Sequence, residues 1–223
     1  MIKGKEVKVL YSAKVPEQMV DAFLKAQSYV EKFFTDESKE RSKGTIQISG
    51  QRFILLGADS LPEARVNMEK MLGENTANML IYNFGKACGT REAKVFNKRM
   101  GLTDPMEKLS VGPIQFSFRG FALVDIFPES APSPDEKYFL IYDHPNSFEL
   151  ALPSGYKPTK PVCHFNAGYS AGWCSESFGV PLEAKEIMCK AIGGKTCRFV
   201  MAHKDMILDH LTPSKIREYI NLR

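Results

Sequence analysis

No apolar run in this 223-residue sequence approaches the roughly 20 residues needed to cross a bilayer, so a helical membrane protein is excluded. The opening residues, Met1-Ile-Lys-Gly-Lys-Glu, lack the apolar stretch of a signal peptide, and a cytoplasmic location is expected. Charge of one sign is also scarce: 30 Lys and Arg face 26 Asp and Glu, a net +4 spread along the chain. Direct nucleic-acid binding is therefore not expected. Common catalytic motifs are missing, with no HExxH, no GxSxG and no dinucleotide fingerprint. The four histidines, His144, His164, His203 and His210, form no metal-ligand pair at helical spacing. Gly194-Lys195-Thr196 resembles the end of a phosphate-binding loop, but Cys189 stands where that loop needs its first glycine. A strand pattern follows it instead of a helix, and the nucleotide reading fails. No enzyme is expected.

What is present is ample apolar material, 43% of the residues, enough for a core without cross-links. The five cysteines, Cys88, Cys163, Cys174, Cys189 and Cys197, are an odd number in a chain with no export signal, so reduced thiols or metal ligands are expected rather than disulfides. Helical periodicity covers residues 16–34 (Met19, Val20, Phe23, Leu24, Ala26, Val30, Phe33), and a polar stretch over 35–44 ends it. Residues 45–49 and 52–56 read as strands around a Gly50-Gln51 turn. Ser60 caps a helix to about Leu72, and a second helix begins near Thr76, carrying Gly85 and Gly89. Aromatic and β-branched runs at 115–124, 137–142 and 147–152 read as strands. Residues 163–178 form a helix around Gly168 and Gly172, 181–192 another, 197–201 a strand, and 212–223 a last helix with Thr212 as cap. The glycine spacing of Asn83–Glu92 and Asn166–Glu176 is alike, which implies similar close helix packing and not a repeat.

On that reading Glu186 and Cys189 share a helix face, three residues apart, and Cys197 begins the returning strand. With Cys163 they make three thiolates and one carboxylate, the donor count of a closed structural zinc site. Spacing alone leaves alternatives: the cysteines as small buried hydrophobes, or Cys174, Glu176 or His164 replacing one ligand.

The stretch Pro161-Val-Cys-His-Phe-Asn-Ala-Gly-Tyr-Ser-Ala-Gly-Trp-Cys, continued by Glu186-Ile-Met-Cys and Gly194-Lys-Thr-Cys-Arg-Phe-Val, resembles the signature of the 4-vinyl-reductase-like domain family. Upstream, Gln51-Arg-Phe-Ile-Leu-Leu-Gly-Ala-Asp-Ser-Leu, Gly85-Lys-Ala-Cys-Gly-Thr-Arg-Glu-Ala and Gly112-Pro113 are similar to the amino-terminal sensor of bacterial activators of aromatic catabolism, the XylR/DmpR type. The resemblance implies a mixed α+β fold, an antiparallel sheet packed with helices and a zinc-clipped carboxy-terminal unit. It implies zinc on Cys163, Glu186, Cys189 and Cys197, a pocket for a small aromatic or hydrophobic ligand, and a homodimer. The expected division is a helical arm over 1–44, able to dimerise, a sensor domain over 45–203 with its zinc-binding part at about 140–203, and a linker helix over 204–223.

Phe116, Phe121, Leu140, Tyr142, Tyr169 and Trp173 are the expected pocket lining, with Tyr142 and Tyr169 as polar handles and Phe118, Phe139 and Phe148 as further aromatic surface. Taken singly, each aromatic is more often plain core than ligand contact. The resemblance puts Phe116 and Tyr142 where phenol-sensing relatives hold the ligand hydroxyl with a His and a Trp. One hydrogen-bonding group is lost, so a more apolar or differently shaped ligand than phenol is expected. The function implied is a sensor regulating an effector in signalling or transcription, attached to this chain or separate from it. The alternatives are a tetrapyrrole-related reductase or assembly factor, and a scaffold module of the same fold. A zinc with four protein ligands has no open position for reductase chemistry.

Overall fold

The computed structural model describes residues 6–9 and 12–222. A strand pair, β1 (Glu6–Val9) and β2 (Ala13–Pro16), leads into helix α1 (Val20–Thr35). A small antiparallel sheet follows, β3 (Glu37–Glu40), β4 (Thr45–Ile48) and β5 (Gln51–Phe53). Three helices come next, α2 (Ser60–Leu72), α3 (Glu74–Met100) and α4 (Pro105–Phe118). Strands β6 (Val124–Ile126) and β7 (Phe139–His144) precede helix α5 (His164–Phe178), and β8 (Leu182–Met188), β9 (Cys197–His203) and helix α6 (Pro213–Ile220) complete the chain order. The main sheet runs β1-β2-β6-β7-β9-β8. It is antiparallel except where β2 lies parallel to β6.

Local chemistry accounts for several of these elements. The β4–β5 turn places Ser49 and Gly50 at positive φ, 46° and 70°, the two-residue geometry whose twist suits a hairpin. Helix α4 opens on Asp104, whose carboxylate accepts the amides of Met106 and Glu107 at 3.0 and 2.9 Å, with Pro105 in the first turn. Removing that cap costs about 1 kcal/mol. Asp104→Ala is therefore expected to lower Tm by roughly 2–4 °C, as calorimetry on the purified variant would measure.

Helices α3 and α5 are locked by glycine. A Cβ on Gly85 or Gly89 would overlap the carbonyl oxygens of Phe165 and Tyr169, and one on Gly168 or Gly172 those of Tyr82 and Lys86. Partners advance together along both helices, so the two run parallel. This is the close approach that the glycine spacing implied. The pair lies against the inner face of the main sheet, and Ala93, Phe96, Tyr169, Trp173 and Phe199 belong to the same buried cluster.

Several expectations change: residues 54–56 lie outside β5, and the polar stretch after α1 contains β3. The segment 1–44 is not a detached arm: Ala13 and Val15 of β2 and Phe23, Ala26, Val30 and Phe33 of α1 join the main core, while the side chains of 6–9 and residues 1–5 and 10–11 fall outside the description. Residues 115–118 belong to α4 rather than to a strand, because the Asp104-Pro105 start outweighs aromatic β-propensity. Residues 148–150 form a 3₁₀ turn. Residues 182–188 form β8 and not a helix, although Glu, Ala, Lys, Leu and Met are good helix formers. Leu182 and Ala184 bury fully against the core and Lys185 stays exposed, a period of two that propensity does not see.

Candidate functional site

The cysteine corner is built at the ends of three elements. Cys163 caps the start of α5, Cys189 follows β8, and Cys197 opens β9. In β8 the register shifts between Glu186, opposite Phe199, and Met188, opposite Arg198. The extra residue turns Cys189 to the face that Glu186 already occupies, which regular alternation would have denied it. The ligand atoms of Cys163, Glu186, Cys189 and Cys197 all lie within 4.8 Å of one another, and the Cys163 and Cys197 sulfurs are 3.6 Å apart. A tetrahedral zinc with bonds of about 2.3 Å separates its sulfurs by roughly 3.8 Å. The geometry thus fits the ion.

The electrostatics fit as well. Glu186 Oε2 accepts the Cys163 amide at 2.9 Å, while its Oε1 is buried with no hydrogen-bond partner among the described residues. Burial, and then the neighbouring Cys189 sulfur, push the Glu186 carboxyl up to about 9. Hydrogen bonds from Cys163 and Cys197 hold Cys189 below the ordinary thiol range. Cys163 is raised by its bonds to Cys189 and Cys197 and by burial. A buried, partly protonated acceptor set with an orphaned carboxylate oxygen is the arrangement a cation completes. Of the other candidates, Cys174 lines the cavity described below, Glu176 pairs with Lys94 at 3.7 Å, and His164 lies outside the four-atom cluster.

Helices α4 and α5 and strands β6 and β7 surround an apolar cavity of about 30 Å³. Phe116, Leu140, Tyr142, Tyr169 and Trp173 line it, with Leu109, Gly112, Pro113, Val124, Ile126, Ser170 and Cys174. Phe121, expected in the lining, is set one layer back, its ring 5.0 Å from Phe116 and 5.8 Å from Tyr169. Phe118, Phe139 and Phe148 are likewise outside it. Gly112 has no Cβ because the Trp173 indole occupies that space, and the indole N–H donates to the Lys108 carbonyl at 3.0 Å.

The two expected polar handles differ. The Tyr169 hydroxyl is committed, accepting from Gln115 at 2.8 Å and donating to Glu92 at 3.1 Å. The Tyr142 hydroxyl has no well-formed hydrogen bond among the described residues, and burial pushes its pKa well above the phenolic range, with Ser170 only partly offsetting it.

Two side chains were missed from the sequence. His144 is fully buried among the rings of Phe116, Tyr142 and Phe199 at 5.3, 5.2 and 4.7 Å. Neither of its nitrogens has a partner among the described residues, and burial drops its pKa to about 3. Glu149 is buried at the start of α5, accepting the Phe165 and Asn166 amides at 2.9 and 2.8 Å, and desolvation raises its pKa to about 8. Nothing in the sequence pattern separated either from ordinary loop or strand positions.

A mixed α+β architecture with helices packed on a largely antiparallel sheet is the class this arrangement defines. Residues 147–202 match the 4-vinyl-reductase domain, and residues 38–128 match the family described as activator of aromatic catabolism. The chain therefore carries both segments that its motifs resemble. Its fold is similar to the crystal structure of the phenol-responsive sensory domain of the transcription activator PoxR with phenol, at a TM-score of 0.69 and 20% identity, covering 94% of this chain and 100% of that one. A trafficking protein particle complex subunit 3 from Naegleria fowleri, covalently bound to palmitic acid, aligns at a TM-score of 0.47 and 13% identity over 66% of this chain and 95% of that one. No curated protein sequence matches. Among the described residues, no helix is long and apolar enough to cross a membrane.

Proposed function

We propose that this chain is a non-enzymatic sensor in which a small aromatic or hydrophobic molecule occupies the cavity and a zinc ion on Cys163, Glu186, Cys189 and Cys197 clips α5, β8 and β9 together. The output is regulation of an effector, in transcription or other signalling. The observation that carries this reading is that the aromatic cavity and the Cys₃Glu corner share their supports. Helix α5 begins beside Cys163 and gives Tyr169 and Trp173 to the cavity, and β7, which gives Leu140 and Tyr142, pairs with the β9 strand that opens on Cys197. The fold shared with a phenol-responsive domain supports it. The zinc supplies a structural cross-link when bound. The chain's own residues shape the cavity and place the Tyr142 hydroxyl in its wall, beside Ser170. A homodimer belongs to the same reading, supported by Ile54, Leu55 and Leu56, each more than 70% exposed, an uncommon apolar cluster for a monomer.

A specific observation favours a second reading, the scaffold: about 30 Å³ holds little more than water, so a ring enters only if the lining moves. Calorimetric titration with a panel of single-ring aromatics separates the two. The expected result is binding of an apolar aromatic such as toluene at least tenfold tighter than phenol, lost in Trp173→Ala. Tight phenol binding overturns the expected ligand preference, and no binding by any member leaves the scaffold.

A further inference from the structure

Strands β7 and β9 present different chemistry on their two faces. Inward stand Leu140, Tyr142, His144, Cys197, Phe199 and Met201, around the cavity and the cysteine corner. Outward stand Ile141, Asp143, Arg198 and Val200. His144 pairs with Cys197 on the ladder, and Asp143 with Arg198 on the next rung.

On the outward face Arg198 is only 3% exposed. Its Nε and Nη2 donate to the two Asp143 oxygens at 2.7 and 2.9 Å. Its Nη1 donates to the Tyr219 and Leu222 carbonyls at 2.6 and 2.7 Å, at the end of α6, and its guanidinium lies 4.3 Å over the Phe127 ring. Tyr219 is buried with Phe127, Ile141 and Val200. The Tyr219 hydroxyl is 2.8 Å from His210 Nδ1, and His210 stacks on Phe139 at 4.6 Å. An eight-residue helix such as α6 is too short to persist without docking. One buried cation and one apolar patch thus decide whether it is formed.

We propose that this clamp makes α6 the readout of the cysteine corner: a metal ion on the four ligands holds the first residues of β9 in place and so keeps Arg198 aimed at the Tyr219 and Leu222 carbonyls. The inference rests on the metal reading above. Cys197 and Arg198 flank a single peptide group, so a shift of that peptide moves ligand and clamp together. The facing β8 ladder gives little resistance there, because its register breaks between Glu186 and Met188. A guanidinium fork binds well only in its own plane, so a small displacement breaks the carbonyl bonds while the Asp143 pair, on the neighbouring strand, persists. Release of α6 then uncovers Phe127, Ile141 and Val200.

The test is amide exchange by mass spectrometry on the whole chain, with metal content measured on the same samples. With zinc bound, the amides of 216–222 exchange slowly. Stripping zinc is expected to speed them at least tenfold, with a much smaller change in α1 and α4. Arg198→Lys is expected to leave them fast with or without zinc while zinc content is unchanged. Tyr219→Ala, which removes the helix's apolar anchor and leaves Arg198 and the four ligands in place, gives the same result should Arg198→Lys fail to fold. Bound zinc whose removal leaves 216–222 protected overturns the coupling and spares the metal reading. A chain that takes up no zinc overturns both, and elemental analysis alone reveals it.

Discussion

Cys189→Ala is expected to reduce bound zinc from about one ion per chain to none and to lower Tm by roughly 8–16 °C. The figure follows from mass action. Free zinc at about a thousand times its dissociation constant stabilises the folded chain by about 4 kcal/mol, and for a domain of this size each kcal/mol moves Tm by roughly 2–4 °C. Loss of one ligand also leaves the Glu186 carboxylate buried among thiols without the cation that its orphaned oxygen requires. Cys174→Ala is the comparison: this cysteine is also buried but lines the cavity, so zinc content stays at about one. Elemental analysis and calorimetry on the two variants check both statements. Equal zinc in both, or none in the wild type, would remove the metal from the corner.

Gly168→Ala should destabilise the chain by about 3 kcal/mol or more, lowering Tm by roughly 6–12 °C. The sign is the informative part. In an ordinary helix interior, replacing glycine by alanine stabilises by about 1 kcal/mol. Here the added methyl meets the Tyr82 carbonyl, with the Lys86 amide nitrogen 3.0 Å away, and backbone on a neighbouring helix cannot swing aside as a side chain does. The two helices must separate, opening the contact between Phe96 of α3 and Trp173 of α5, whose ring centroids are 5.9 Å apart. A Gly168→Ala chain as stable as the wild type in thermal and denaturant melts would mean that the helices are not packed through their backbones.

Much of this was legible in the residues themselves. Helices α2 and α5 fall within a residue of the spans that periodicity indicated, because their apolar spacing and their Gly ends act locally. The glycines at 85, 89, 168 and 172 marked two helices with close-packing faces, and the structure packs these faces on each other. Five of the six expected lining residues do line the cavity. The four metal candidates converge, but not by the expected route: a shared helix face was to bring Glu186 and Cys189 together, and a register break in a strand does so instead.

By itself, then, the sequence determined where backbone chemistry is local: caps, turns, glycine spacing, and the inventory of thiols and aromatics. It also carried the resemblance from which a sensor was inferred. Only the tertiary structure decided that residues 182–188 are a strand, that 115–118 finish a helix, that His144 is buried with no partner among the described residues, and that Arg198 holds the last helix on the outer face of the sheet. Each of these depends on what lies opposite a residue. The free energy of burial against a distant segment exceeds the few tenths of a kcal/mol by which local propensities differ.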